Sequence, residues 1–357
     1  MTAATAGAPR LLRNVVDMNT TARPYRSNHP PTNGAVPTVS DRATAIPARD
    51  RASGARTDPS PRLPAWARIL LTAFLIIPAA SATLLGLGAL ALFGKQDLFW
   101  QTDEIAMLVR IACWTLPLIA YLLISWALVR WVDRRPFRAL GLTWNRNAAR
   151  ALGIGTMLAV VIAVVGYGVA AVAGLGAPMD AAGAAGVEAG PMGPLLIVLT
   201  LIMLLVRAYV LQGIGEELLF RGYLMQSLAR RPHAAVWLSA FAFCIPHLTS
   251  AGGQQSLLDH LFYLLIPFGF GISAGYLAIA MRSVWAAIGI HGGFHVGNAV
   301  AGVILLELPW GIPVYLVLGL AHVALGLVVA ARIPASRWVE VAEQGPYGRC
   351  AQPCSVL

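Results

Sequence analysis

Charged residues are scarce in this chain, and cysteine is scarcer still. Asp, Glu, Lys and Arg together make up 12% of the 357 residues, whereas apolar residues make up 57%. So few charges exclude an ordinary soluble domain and predict a polytopic membrane protein. The four cysteines show no spacing typical of a zinc site, and a disulfide framework is not expected in a chain of this class.

Acidic residues are also few compared with basic ones, and the formal net charge is +10. Nine arginines lie in the first 64 residues, and most of the others lie between or beside apolar runs. This pattern is typical of charge that sets topology at the cytoplasmic face of a membrane. A nucleic-acid partner would need a basic folded face, and none is visible. The lipid bilayer is therefore the expected partner, and nucleic acid is not.

The two ends of the chain lack long apolar runs. Residues 1–64 are rich in Ala, Thr, Pro, Ser and Arg without apolar periodicity, which predicts a disordered cytoplasmic tail. The first long apolar run begins near Arg68, too late for a signal peptide, and the start of translation at Met1 or Met18 stays open. Residues 336–357 are predicted to form a cytoplasmic C-terminal tail.

Residues 65–335 predict an all-α, polytopic membrane helix bundle of about eight transmembrane helices. Spanning a bilayer takes about 20 apolar residues. The predicted spans are 68–94, 106–131, 150–175, 193–214, 234–250, 261–281, 284–306 and 313–331. Arginine-rich loops alternate with acidic loops, so both termini are expected in the cytoplasm. The Ala-, Gly- and Arg-rich composition indicates a bacterial plasma membrane.

Two glutamates and an arginine close the fourth apolar run: Glu216, Glu217 and Arg221. Ionisable groups in hydrocarbon are costly and indicate a functional site by default. Residues four apart share a helix face, so Glu217 and Arg221 can pair. Glu216 points about 100° away and stays free to accept a proton from water. The alternative is a structural cluster of charges that snorkel to the interface.

Three histidines lie inside later apolar runs. His247 follows Phe243 by four residues, while His291, His295 and Asn298 fall on one stripe of a helix that is rich in glycine. Glycine allows close approach of a neighbouring backbone or a substrate. The stripe indicates a proton relay or a metal site, with plain packing polarity as the alternative.

Other intramembrane polar residues give weaker signals. Arg110 and Arg207 can snorkel or pair with a carboxylate, and His322 is interpreted as a packing residue.

The order of these glutamate, arginine and histidine residues along the chain resembles that of the CAAX-processing and bacteriocin-processing (CPBP, or Abi) family of intramembrane proteases. This family includes the type II CAAX prenyl endopeptidases. The family's motifs are Glu-Glu-x-x-x-Arg, Phe-x-x-x-His and His-x-x-x-Asn. They are matched by Glu216, Glu217 and Arg221, by Phe243 and His247, and by His291. The resemblance covers residues 193–300, the expected protease core. This chain departs from the pattern at His295, where Asn is usual, and Asn298 is the other candidate for that role.

The resemblance implies an intramembrane endopeptidase. Its substrates would be membrane-associated peptides or proteins, either prenylated or bacteriocin-like. Glu216 would activate water as general base, and His247 would orient that water. His291, with His295 or Asn298, would stabilise the oxyanion, while Glu217, Arg221 and Phe243 would support them.

Metal dependence stays open at this stage. The family is described both as metalloproteases and as metal-free glutamate proteases. If a metal is bound, zinc is expected, with Glu216, His247 and His291 as ligands.

Two other functions compete with proteolysis. One is a non-catalytic membrane scaffold or immunity protein of the same fold. The other is a proton-coupled transporter, which is less favoured because the chain shows no internal repeat.

Overall fold

The structure is a computed structural model that describes residues 61–178, 193–250 and 254–348. Of the predicted disordered tail, residues 1–64, only the last four lie within these ranges. The predicted boundaries between tails and bundle stay predictions.

Helices make up nearly all of the described chain, which confirms the all-α prediction. They are α1 (Ala65–Ala80), α2 (Thr83–Leu92), α3 (Glu104–Ala127), α4 (Arg146–Val172), α5 (Pro194–Leu205), α6 (Ile214–Glu217), α7 (Pro232–Cys244), α8 (Leu257–Tyr263), α9 (Leu265–Met281), α10 (Val284–Leu305), α11 (Ile312–Arg332) and α12 (Ala335–Gln344). Two short strands, β1 (Ala177–Pro178) and β2 (Pro309–Trp310), pair antiparallel.

Within the described ranges, seven helical stretches are long and apolar enough to cross a membrane. They are Ala65–Leu92, Glu104–Val132, Arg146–Val172, Pro194–Met225, Leu257–Met281, Val284–Leu305 and Ile312–Arg332. Together they establish an integral membrane protein. The predicted sidedness of the termini stays a prediction.

The prediction of about eight spans is corrected at the fifth. Residues 234–250 were expected to cross the membrane, but α7 contains only 13 residues. Such a helix is about 20 Å long, shorter than the roughly 30 Å of hydrocarbon. Pro246 removes a backbone donor, and the chain there turns into a tight helical turn, Ile245–Thr249.

The fourth stretch, Pro194–Met225, is one long helix, here called the glutamate helix. Its α5 and α6 are ordinary α-helix, whereas Val206–Gly213 and Leu218–Met225 are π-helical. Such wide turns are uncommon and occur frequently at functional sites. The ion pair Glu217–Arg221 joins the end of α6 to the second of these π-helical segments.

Helices α4 and α10 approach each other through glycine. A methyl group on Gly155 would overlap the carbonyl oxygen of Ala286, and one on Gly289 would overlap that of Leu152. Small residues at crossings let membrane helices pack backbone to backbone. This packing fixes α10, which carries His291 and His295, against the bundle.

This crossing gives a stability prediction. We expect Gly155→Ala to lower the free energy of unfolding by about 1–3 kcal/mol, because the added methyl forces the helices apart. Gly153, two positions before Gly155, has open space around it. Gly153→Ala should leave stability unchanged or raise it slightly, since alanine is the better helix former. Thermal unfolding of both variants in the same detergent is the measurement, and equal melting temperatures would contradict the crossing.

The segment predicted as a C-terminal tail, residues 336–357, begins with structure. Helix α12 is docked on the bundle, because the Arg337 guanidinium donates to the Ile279 carbonyl at 3.1 and 3.2 Å. Glu340 forms ion pairs with Arg282 and Arg337. These contacts attach the segment to the end of α9.

Candidate active site

Glu217 connects the glutamate helix to α10. Its Oε1 accepts a hydrogen bond from Arg221 Nη1 at 2.9 Å and another from His291 Nδ1 at 2.9 Å. The Glu217 and Arg221 side chains are completely buried, and His291 is 2% exposed. The pair Glu217–Arg221 is the one that the spacing predicts. The contact with His291 was not foreseen, because Glu217 was expected only to hold the helix end.

The hydrogen bonds of His291 and His247 fix which ring nitrogen is left free. His291 Nδ1 faces a carboxylate that already accepts from Arg221, so Nδ1 carries the proton. His247 Nδ1 lies 2.8 Å from the Phe243 carbonyl oxygen, which can only accept. Both rings therefore keep Nε2 available for water or substrate.

The Phe243 ring packs against one residue from each of the three motifs. Its centroid lies 4.6 Å from the His247 ring and 5.9 Å from the His291 ring. The Arg221 guanidinium lies over the same ring, with its carbon 4.9 Å from the centroid. A cation over an aromatic face is attracted to it. The supporting role that the resemblance implies for Phe243 stays a prediction.

Glu216 is buried beside these groups. It is 5% exposed, and its electrostatic neighbours include His291, Arg221 and Tyr121. The Tyr121 ring packs where a methyl on Gly215 would stand. No ion pair to Glu216 forms within the part of the chain that the structure describes. The burial of both glutamates and of Arg221 is incompatible with charges that snorkel to the interface.

His295 and Asn298 extend the site along α10. The His295 ring centroid lies 5.4 Å from that of His291. Both His295 and Asn298 are half-buried, and Asn298 Oδ1 has no hydrogen-bond partner among residues 61–178, 193–250 and 254–348. Which of the two takes the role of the usual Asn stays a prediction.

The predicted zinc ligands are not brought together. In the described ranges, no three His, Cys, Asp or Glu side chains are arranged to hold a metal ion. Glu216, His247 and His291 therefore do not fit the zinc site expected for them in this arrangement.

Tyr347 is a neighbour of the site that the sequence did not reveal. Its hydroxyl donates to the Arg221 carbonyl oxygen at 2.8 Å, and the residue is buried. Burial raises the pKa of the Tyr347 phenol, and the nearby Glu217 raises it further. The phenol is therefore a neutral donor at physiological pH. It lies in the predicted tail, where no motif or periodicity drew attention to it.

His322, interpreted as a packing residue, lies behind the site. It is completely buried, with Nδ1 3.0 Å from Ser273 Oγ. Its ring contacts Phe270 and Phe294 at centroid distances of 6.3 and 6.1 Å. Phe270 also contacts the His291 ring, so His322 supports the site through aromatic packing.

The Tyr347 hydroxyl gives a second stability prediction. We expect Tyr347→Phe to lower the free energy of unfolding by about 1–3 kcal/mol, because a buried polar contact is lost. Tyr167 is the matched control, since its hydroxyl is buried without a partner in the described chain. Tyr167→Phe should be neutral or stabilising. Thermal unfolding compares the two, and equal losses would contradict a role for the Tyr347 hydrogen bond.

Comparison with known proteins agrees with the motifs. The model of a family described as type II CAAX prenyl endopeptidase Rce1-like matches residues 197–297. The matched segment contains all three motifs and leaves α1 to α4, α11 and α12 outside. The match confirms the resemblance to the CAAX protease family. A search of curated proteins finds no match.

Proposed function

We propose that this chain, an integral membrane protein that carries an Rce1-like CAAX protease segment at residues 197–297, is an intramembrane endopeptidase. It would hydrolyse peptide bonds of membrane-associated peptides or proteins. The observation that carries the proposal is the unequal use of two adjacent, buried glutamates. Glu217 is bound by Arg221 and His291, whereas Glu216 forms no ion pair within the described residues.

This difference supports Glu216 as the general base. Glu217 already accepts two hydrogen bonds at one oxygen, and its charge is balanced by Arg221. Glu216 takes a proton from a water molecule, whose oxygen attacks the carbonyl carbon of the scissile bond. His247 Nε2 accepts a hydrogen bond from the same water and orients it. Protonated Glu216 then delivers the proton to the leaving amine, so atoms and charge balance.

The oxyanion needs hydrogen-bond donors. His291 would donate from Nε2 when both of its ring nitrogens carry a proton. His295 is the next donor along α10, and its ring has no hydrogen bond among the described residues that would fix its tautomer. Preorganised donors of this kind often make the largest contribution to catalysis. No step of this scheme is routed through a metal.

Cleavage of lipid-anchored peptides tests the proposal. Purified protein in lipid nanodiscs is incubated with a library of acylated peptides, with and without a strong chelator, beside Glu216→Gln. We expect cleavage that is lost in the variant and kept with chelator. Loss with chelator would favour a metalloprotease and overturn the scheme above.

A binding protein of the same fold is the second candidate. The observation that favours it is His295, which replaces the family's usual Asn at the site. A folded wild-type protein that binds peptides of the library without cleaving any would support a scaffold or immunity protein.

A further inference from the structure

Arg207 lies deep inside an apolar span. It follows Pro194 by 13 residues and precedes Met225 by 18 in the glutamate helix, or roughly 20 and 27 Å at 1.5 Å per residue. The preceding turns expose apolar side chains, including those of Leu201 and Leu205. A charge at this depth of a membrane is costly and marks a functional site by default.

The Arg207 side chain is exposed and has no partner in the described chain. No hydrogen bond or ion pair joins it to any of residues 61–178, 193–250 and 254–348. Arg110, an arginine of the neighbouring α3, instead donates to the Phe99 and Gln101 carbonyls. Unpaired within these ranges, the guanidinium is open to a ligand.

Arg207 lies near the candidate catalytic residues of α10. It lies within electrostatic range of His295, whose ring contacts that of His291. Its π-helical segment, Val206–Gly213, packs against α10 at Gly213 and Gly292. Snorkelling is the competing explanation, but the side chain covers only part of the distance to either end of the helix.

The chemistry of the guanidinium selects an anion. A planar guanidinium pairs with a carboxylate through two parallel hydrogen bonds. A peptide inside a membrane carries a carboxylate only at its C-terminus or on an acidic side chain. We propose that Arg207 binds a carboxylate of the substrate and thereby selects which peptides reach Glu216; this inference rests on the proposed function.

The glutamate helix also sets the distance between Arg207 and Glu216. Arg207 and Glu216 are nine residues apart, or roughly 10 to 14 Å along the axis. An extended peptide covers that length in about three to four residues. The carboxylate would therefore lie about three to four residues from the scissile bond.

Matched peptides test the proposal by binding, independently of catalysis. Three acylated probes differ only near the C-terminus: a free carboxylate, a carboxamide, and a carboxamide with a nearby Glu side chain. Their dissociation constants are measured in nanodiscs for the non-cleaving Glu216→Gln protein, alone and combined with Arg207→Gln, Arg207→Lys or Arg110→Gln. We expect the free carboxylate to bind at least about 10-fold more tightly than the carboxamide.

The Arg207 and Arg110 variants show whether the preference for the free carboxylate depends on Arg207. Arg207→Gln should abolish the preference, Arg207→Lys should keep part of it, and Arg110→Gln should keep all of it. Because the preference is a ratio within one protein, loss of stability does not imitate it. Tight binding of the Glu-containing probe would assign the site to an acidic side chain instead of the C-terminus.

Two outcomes would overturn the proposal: no preference in the Arg207 protein, or an equal preference after Arg207→Gln. A preference that depends on Arg207, found together with wild-type protein that cleaves none of the probes, would instead contradict the endopeptidase and leave a carboxylate-binding protein.

Discussion

Replacing Glu216 with glutamine is expected to reduce peptide cleavage by about 10²- to 10⁴-fold, the usual contribution of a general base. Glutamine has nearly the same shape as glutamate but cannot accept a proton from water. Because Glu216 forms no ion pair within the described chain, the change leaves no partner charge unbalanced. The purified variant should therefore elute and unfold like the wild type.

The neighbouring glutamate provides the control. Glu217→Gln removes a carboxylate that accepts from both Arg221 and His291, so we expect it to lower the unfolding temperature as well as activity. Initial cleavage rates and melting curves of the two variants should differ in this way. Full activity in Glu216→Gln would eliminate Glu216 as the base, and a loss of fold there would show that it has a structural role.

Replacing Arg221 with methionine is expected to cost about 3–5 kcal/mol of stability, because it leaves a buried carboxylate without its cation. Arg221 is completely buried, and the change also removes its contact with the Phe243 ring. Denaturant unfolding in mixed micelles measures the effect. Arg230→Met is the control, since Arg230 is exposed, and it should change stability little.

A double variant shows how much of that cost comes from the orphaned charge. Glu217→Gln combined with Arg221→Met removes both charges, so it should be less destabilised than the sum of the single changes. Strict additivity of the two losses would contradict the ion pair as a source of stability.

Local spacing explains what the sequence predicted well. Glu217 and Arg221 are four residues apart on one helix, and their pairing depends on little else. The contact between Glu217 and His291 joins residues 74 positions apart. It depends on how the glutamate helix packs on α10, which no periodicity encodes. Tyr347 escaped prediction for the same reason.

The number of spans shows the limit of hydropathy. Residues 234–250 are apolar enough to suggest a crossing, but helix length also determines whether a segment can span the bilayer. Pro246 ends α7 as an α-helix before it can span the bilayer. The proline is visible in the sequence, but a hydropathy profile does not register its effect on helix length.

The π-helical turns of Val206–Gly213 make the length of this segment as important as its composition. Deleting one residue there, without a compensating change in the wide turns, would rotate the two halves of the helix by about 100° relative to each other. Leu201 and Leu205 would then leave the lipid or Glu216 would leave the site. The hydropathy profile would hardly change, so such a shortened homologue would still look like a membrane protease while lacking the geometry of one.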